Sequence, residues 1–341
     1  MKKLLSNRRF EVLALAIAIV CVLIHRAADG TPVLDYGGRA SGIVKFLRGV
    51  QTLESRATDL KFQFRGPIAP HDDVVVAAVD EASAQRFGLW PWSRDLVGKA
   101  LINLDKMGAR AIGLDMFFSD AVEDKGAVAY QKALGELEKT IEAKPELAVE
   151  LASYKDVLKA QTTQSPDDAL AAAFTQVTQS VQGAYAYQDS DADRFGKQLV
   201  EQHNELVKPF LITETRLKGG ATAELPIDKL DMYTMYAAQS SRPVIAKTAS
   251  RMGHINTSPD PDGGLRRTPL FVKLTGPKGL LPSLELATAA AYLGGTPNAI
   301  YEKSFNRLTG AEIRNKDGLT LMKVPLSDTE PLAYINHIGP A

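Results

Sequence analysis

Two short stretches bring together side chains that could do chemistry. The first holds Asp80, Glu81, Trp90, Trp92, Arg94 and Asp115 within thirty-six positions of one another. Asp80, Glu81 and Asp115 are oxygen donors of the kind that ligate a divalent cation or share a proton as an acid/base pair. Acids also end strands simply because they cap helices and turns. Trp90 and Trp92, in the block Trp90-Pro91-Trp92-Ser93-Arg94, could close over a ligand. They could equally build a rigid corner, with Ser93 capping the helix that follows. Arg94 is the residue expected to neutralise a carboxylate nearby, with Asp115 as its candidate partner. The second stretch is Asp260-Pro261-Asp262-Gly263-Gly264, followed by Leu265, Arg266 and Arg267. A calcium loop is excluded there, because Leu265 and Phe271 stand where acidic ligands are needed. A tight turn is expected, with Arg266 as an anion-binding candidate.

The elements that must position the first group read as one βαβ unit over residues 73–120. The Val-rich run 74–79 has the unbroken apolar pattern of a strand buried on both faces. Leu96, Val97, Ala100, Leu101, Leu104 and Met107 recur at helical spacing, and Gly108 sits where a helix would stop. Residues 111–114 make a second buried strand. A right-handed crossover would then set Asp80 and Asp115 on the same sheet edge, where open α/β sheets hold ligands.

The remaining chemistry is sparse. The five histidines are scattered, and His203, His254 and His337 read as structural. Cys21 is the lone cysteine. There is no Cys/His metal cluster and no nucleophile motif for a hydrolase triad. Forty basic and forty acidic side chains cancel, which leaves no general field for nucleic acid. No cofactor or metal is named by these residues.

Lys2, Lys3, Arg8 and Arg9 precede the apolar run 10–24, an order that keeps residues 1–9 in the cytoplasm. The apolar part is short for a span. Interfacial Arg9, His25 and Arg26 lengthen it, so residues 10–28 are expected to form an uncleaved transmembrane signal anchor. A cleaved signal peptide is the rival. Both send the rest across the inner membrane. Residues 36–64 read as a juxtamembrane stalk helix, with Ile43, Phe46, Leu47, Val50, Leu53, Ala57 and Leu60 repeating at three and four.

Beyond residue 120, positions 121–164 turn rich in Ala, Glu and Lys. Two apolar seams flank Pro145 and predict a helical insertion, either a hairpin or one kinked helix. A helix over 169–177, a strand over 181–187 and a helix over 195–207 follow. Next come an antiparallel region near 253–274 and an Ala-rich helix from Pro282 to Leu293. The fold class is α/β, with a mainly parallel sheet and helices on both faces, this antiparallel region, the insertion and the N-terminal transmembrane helix.

At these blocks the sequence resembles a family, the second type of CHASE domain. The matching pieces are Asp59 and Arg65, then VVVAAVDEAS, GLWPWSR, GARAIGLDMFF, GHINTSPDPDGGLRRTPL, PSLELA and YINHIGP, in the family's order across residues 56–340. The resemblance implies an extracytoplasmic sensory module of bacterial adenylate or diguanylate cyclases, histidine kinases or Ser/Thr kinases. It implies a sensory pocket, not catalysis, at the positions above. It carries further expectations: residues 56–341 as a periplasmic sensor truncated before its output domain, a homodimer, an unknown extracellular ligand, and an adenylate or guanylate cyclase as the output. Two other readings stay open. One is an extracytoplasmic metal-dependent enzyme using Asp80 and Asp115; the other is a non-catalytic dimerisation module.

Overall fold

The computed structural model describes residues 19, 20, 23, 42–120, 125–163, 165–216, 221–260, 262–304, 306–326 and 332–335. Of the expected anchor at 10–28, Ile19, Val20 and Leu23 are described, all helical and exposed; the rest lies outside the described residues. No described helix is long and apolar enough to cross a membrane.

In chain order the helices and strands are α1 (Gly42–Arg65), α2 (Glu81–Phe87), α3 (Arg94–Lys106), β1 (Ile112–Leu114), α4 (Lys125–Ala143), α5 (Ala148–Thr163) and α6 (Pro166–Gln176). They continue as β2 (Ser180–Tyr187), α7 (Asp189–Phe195), α8 (Lys197–Val207), β3 (Glu214–Arg216), β4 (Thr222–Glu224), β5 (Thr234–Met235), β6 (Ala237–Gln239), α9 (Pro243–Ala246) and β7 (Arg251–His254). The last are β8 (Arg267–Pro269), β9 (Phe271–Leu274), β10 (Gly279–Pro282), α10 (Leu284–Leu293), β11 (Thr296–Glu302), β12 (Arg307–Arg314), β13 (Thr320–Pro325) and β14 (Leu332–Tyr334).

β2 is the hub. It pairs in parallel with β1 and with β7, and antiparallel with β6 at its far end. Its own sequence has both faces covered, so it is buried at every position but Tyr185. Helices cover both faces, as expected. On one side α3, α6 and α9 pack Val97, Leu101, Leu170, Phe174 and Ile245 against Ile112. On the other, α10 packs Leu284, Ala287 and Ala291 against Val181. Close approach is built in: a Cβ on Gly253 would lie 2.6 Å from the Leu284 Cα, so only glycine lets β7 and α10 meet there. A second sheet, β13-β12-β11-β3-β4, packs its own apolar core around Ile313 and Ala311.

Three expectations need correcting. The sheet system is mixed, with more antiparallel than parallel ladders, because residues 296–325 form a meander instead of crossover units. The run 74–79 is not a strand; Val75 and Val76 stand 82% and 85% exposed. An apolar run becomes a strand only when a partner satisfies its backbone. β1 spends its ladder on β2, and the described hydrogen bond of the run is the turn from Val74 N–H to His71 O. The expected βαβ unit therefore reduces to α3 and β1, and Asp80 and Asp115 do not end neighbouring strands. Finally, the antiparallel region expected near 253–274 begins only at β8: β7 pairs in parallel with β2, while β8 and β9, parted at Leu270, pair antiparallel with β14 and β10 respectively.

The insertion is the hairpin form of the two readings. α4 and α5 lie side by side across the turn Pro145–Leu147. An open apolar groove of about 420 Å³ runs between them, lined by Leu137, Leu151, Tyr154 and Leu158. Local signals set the helix ends. Ser165 and Asp168 form a reciprocal capping box on α6, and Ser283 caps α10 while Gly294 ends it in the left-handed region.

Candidate functional site: a charged joint and a buried arginine pair

The first site is built on the loop between β7 and β8. Asn256 pins the loop's start to the hub strand: its side chain accepts from Ala186 N–H at 2.8 Å and donates to Ala186 O at 2.7 Å. The loop then turns at Asp260, whose carbonyl accepts from Gly263 N–H at 2.8 Å. Gly263 takes a φ of +83°, and a Cβ on Gly264 would come within 2.5 Å of Arg266 Nη1. One glycine is needed for the turn and the other for room beside a guanidinium.

That guanidinium is the centre of the site. Arg266 Nε and Nη2 donate to the two oxygens of Asp59 on α1 at 2.6 and 2.7 Å. Its Nη1 donates to Asp260 at 3.1 Å and to Asp262 at 2.8 Å. Arg267 adds Nε and Nη2 contacts to Asp260 at 3.0 and 2.8 Å, while the Asp260 side chain is only 3% exposed. Planar, two-pronged pairing of this kind is what a guanidinium does and an ammonium cannot. The Arg266 hydrogen bond and charge hold the Asp262 carboxyl below its usual range, and Asp59 is the main cause holding the Arg266 proton more tightly than usual.

Arg266 was expected to be free for an anion. It is instead taken up by three carboxylates of its own chain. Arg266 precedes β8 and Arg267 opens it, and both reach Asp260.

The second site surrounds Arg94, the first residue of α3, which is 6% exposed. Its Nε donates to Asp167 on α6 at 3.3 Å, its Nη2 donates to Asp120 O at 3.1 Å, and its Cζ lies 4.2 Å over the Phe118 ring. Arg242 Nε lies 2.7 Å from the other Asp167 oxygen. One buried carboxylate thus serves two guanidiniums. No described contact joins Arg94 to Asp115, which is exposed beyond β1. The expected Arg94–Asp115 pair is replaced by Arg94–Asp167.

The other candidates separate. Asp80 caps α2: its Oδ1 accepts from Ser83 N–H at 2.8 Å and from Ser83 Oγ at 2.7 Å, and these bonds lower its carboxyl's pKa. Glu81 is exposed in the first turn of that helix. Trp92 packs edge-on against Phe87 at 5.5 Å, lies 6.0 Å from Trp90, and donates its Nε1–H to Gly88 O at 2.8 Å. This is the corner reading. Ser93 occupies the N-cap position of α3 without a capping hydrogen bond. Among the described residues no three His, Cys, Asp or Glu side chains gather as a metal site, so Asp80, Glu81 and Asp115 do not converge on a common cation.

His254, at the end of β7, is the most buried ionisable group near the joint. It is 1% exposed, neither ring nitrogen has a hydrogen-bond partner, and burial pushes its pKa down to about 3. His203 is buried on α8 with Nδ1 2.9 Å from Ser240 Oγ, and burial lowers it too.

Sequence reasoning missed Asp59 as the mate of Arg266, and Asp167 and Arg242 as mates of Arg94. Asp59 carried a signal, an acid on a helix otherwise apolar at three-and-four spacing. Asp167 carried none, since it reads as an ordinary acid in a first helical turn.

Comparison with curated proteins and with solved structures gave no match. A family model for the CHASE2 domain matches residues 38–337. That span takes in α1, the hub sheet, the charged joint and the meander together, and the chain belongs to the CHASE2 family of extracytoplasmic sensory domains.

Proposed function

We propose that this chain is the membrane-anchored, periplasmic sensor portion of a bacterial receptor, and that the Arg266–Asp59 joint passes the state of the sensor body to α1. The output that it regulates is an adenylate or guanylate cyclase, and the signal is an extracellular ligand. One observation supports this reading above the rest. None of the described side chains of α1 belongs to the buried apolar clusters, yet the helix is fastened to the body by a two-pronged charged contact. Apolar packing fixes an element in one place, whereas a directional ion pair can release and re-form as the loop beneath it shifts. The loop is tied in turn to the hub strand through Asn256, so a movement of β2 or β7 reaches α1 through named contacts.

The test is topology. A reporter enzyme that folds only in the periplasm, fused after Ala341, is active, and a cytoplasm-specific reporter at the same place is dark. The opposite pair of results removes the reading.

A further inference from the structure

Two arginines share one carboxylate at the carboxyl end of β1. Past β1 the chain runs through Phe118, whose N–H donates to Ser241 Oγ at 3.1 Å and whose carbonyl accepts from Arg242 N–H at 2.8 Å. α3 and α6 both start at this edge, since Arg94 opens the one and Asp167 lies in the first turn of the other. Open α/β sheets hold ligands at such an edge, where helix N-termini favour anions. The charges there do not balance. The Arg94 and Asp167 side chains are 8% and 11% exposed, and Arg242 is a second cation on the same carboxylate. One positive charge is left over in a place shielded from water, and a buried charge is costly until it is paired. The neighbouring acids do not supply its partner: Asp168 accepts from Ser165 at 2.8 Å, Asp95 pairs with Lys99 at 3.3 Å, and Asp120, exposed, offers Arg94 its carbonyl. Donors are left over too. Among the described residues, Arg94 Nη1 and both Nη atoms of Arg242 have no hydrogen-bond acceptor. Arg242 Nε is buried and stands 2.7 Å from Asp167 Oδ2 without the alignment of a hydrogen bond. Ser93 gives α3 no capping bond, so the first backbone N–H groups of that helix lack a side-chain acceptor.

We infer that Arg94 and Arg242 form a binding site for the carboxylate of a small molecule, which completes the charge balance around Asp167. A single surplus charge calls for a monoanion, and planar guanidinium forks match a planar carboxylate. Arg242, its side chain 38% exposed, is the mouth of the site, and Arg94 is its floor, stacked on Phe118 at 4.2 Å. The site reaches the hub strand. Arg242 leads into α9, whose Ile245 carbonyl accepts from Gln182 Nε2 of β2 at 3.2 Å. That the carboxylate is the signal rests on the sensor reading above; that it binds does not.

Trp90 and Trp92 are the chain's two tryptophans, and Trp92 packs against the cluster that holds Phe118, so intrinsic fluorescence reports on the site. The test titrates the full chain in detergent with sodium acetate against sodium chloride at one ionic strength. Acetate should give a saturable change that chloride does not. Arg242→Gln, which leaves Arg94 paired with Asp167, should weaken acetate about tenfold or more. Arg194→Gln, at a side chain 80% exposed, should leave the affinity unchanged. Asp167→Asn should bind acetate about fivefold more tightly, because it removes the competing carboxylate. A response to acetate equal to that of chloride would overturn the site, as would wild-type affinity in Arg242→Gln or weaker binding in folded Asp167→Asn. A saturable response to inorganic phosphate with none to acetate would overturn the carboxylate class. The topology reporters are read separately. A cytoplasmic body that still binds acetate sinks the sensor reading alone, and a periplasmic body that does not bind it sinks the site alone.

Discussion

Arg266 and Asp59, 207 positions apart, meet in a two-pronged pair at 2.6 and 2.7 Å, and this pair ties α1 to the loop between β7 and β8. Exposed ion pairs contribute little on their own, but this pair is set apart by the two further carboxylates converging on the same guanidinium.

The joint's first consequence concerns α1 alone. Arg266→Ala leaves Asp59 and Asp262 without their guanidinium, while Asp260 keeps Arg267. The body should stay folded, since the buried apolar clusters are untouched. Amide exchange within α1 should quicken at least tenfold, with β2 and β7 unchanged. Asp59→Asn should do the same more mildly, because it removes one charge and keeps one acceptor. Acid should imitate these variants. The Arg266 guanidinium holds the folded-state pKa of Asp262 below the ordinary carboxyl value of 3.8, so its contribution is present above that pH and is lost as pH falls through the lower, folded value. Hydrogen exchange resolved by mass spectrometry decides; equal protection of α1 in wild type and Arg266→Ala would show that other contacts hold the helix.

The buried arginine pair makes a prediction of order. Arg94→Ala still leaves Asp167 with Arg242 at 2.7 Å. Asp167→Asn instead strands Arg94, at 6% exposure, with the Asp120 carbonyl and the Phe118 ring. Stranding a buried charge costs about 3–5 kcal/mol, so Asp167→Asn should approach that range and Arg94→Ala should fall below it. Asp115→Asn should change stability little and should not rescue Arg94→Ala. Urea denaturation of the three variants and the double variant reads this. A larger loss for Arg94→Ala than for Asp167→Asn would contradict the geometry.

What was legible in the sequence was local. The helix expected over 169–177 is α6 and the Ala-rich helix expected from Pro282 to Leu293 is α10, each to within a few residues, because their ends are set by residues a few positions apart. The hub strand was legible because burial on both faces writes an apolar run. The same pattern misled at 74–79, where the run exists but no ladder partner does; pairing is a property of two segments, and one segment's composition cannot reveal it. Arg94 was rightly singled out as a residue that neutralises a buried carboxylate. Its partner was misassigned, because Asp115 is nearer in the chain while Asp167, 73 positions away, is nearer in space. The joint was divided in the same way. Arg266 was visible, Asp59 was visible, and nothing in sequence spacing says that they touch.

The helical insertion should be dispensable for folding of the body. α4 and α5 pack on each other, and none of their described side chains belongs to the buried apolar clusters. Replacing residues 121–164 by a short Gly/Ser linker keeps Ser165 and therefore the capping box of α6, and a change of loop length costs little entropy. The shortened chain should melt cooperatively within a few degrees of the parent. A chain that no longer folds would place the hairpin against the core after all.

The last prediction follows from His254. A neutral imidazole carries one N–H and one lone pair, and at 1% exposure neither finds a partner. Charging it would be costlier still, and its folded pKa is accordingly down at about 3, against 6.5 for the ordinary side chain. The unfolded chain takes up this proton below pH 6.5 and the folded domain does not. Stability is therefore intact above the unfolded value. It falls as pH drops from about 6.5 towards 3, with a limiting slope of about 1.4 kcal/mol per pH unit from this one group. His254→Leu should remove that slope. It should also leave the domain at least as stable at pH 7, because it deletes two unpartnered polar atoms in exchange for a side chain of similar bulk. His203, also lowered by burial, adds a contribution of the same sign that survives the substitution. Urea midpoints at pH 7, 6, 5 and 4 for both proteins separate the two histidines. If the pH profiles of wild type and His254→Leu superimpose, the ring is hydrated or partnered in solution and the acid response lies elsewhere.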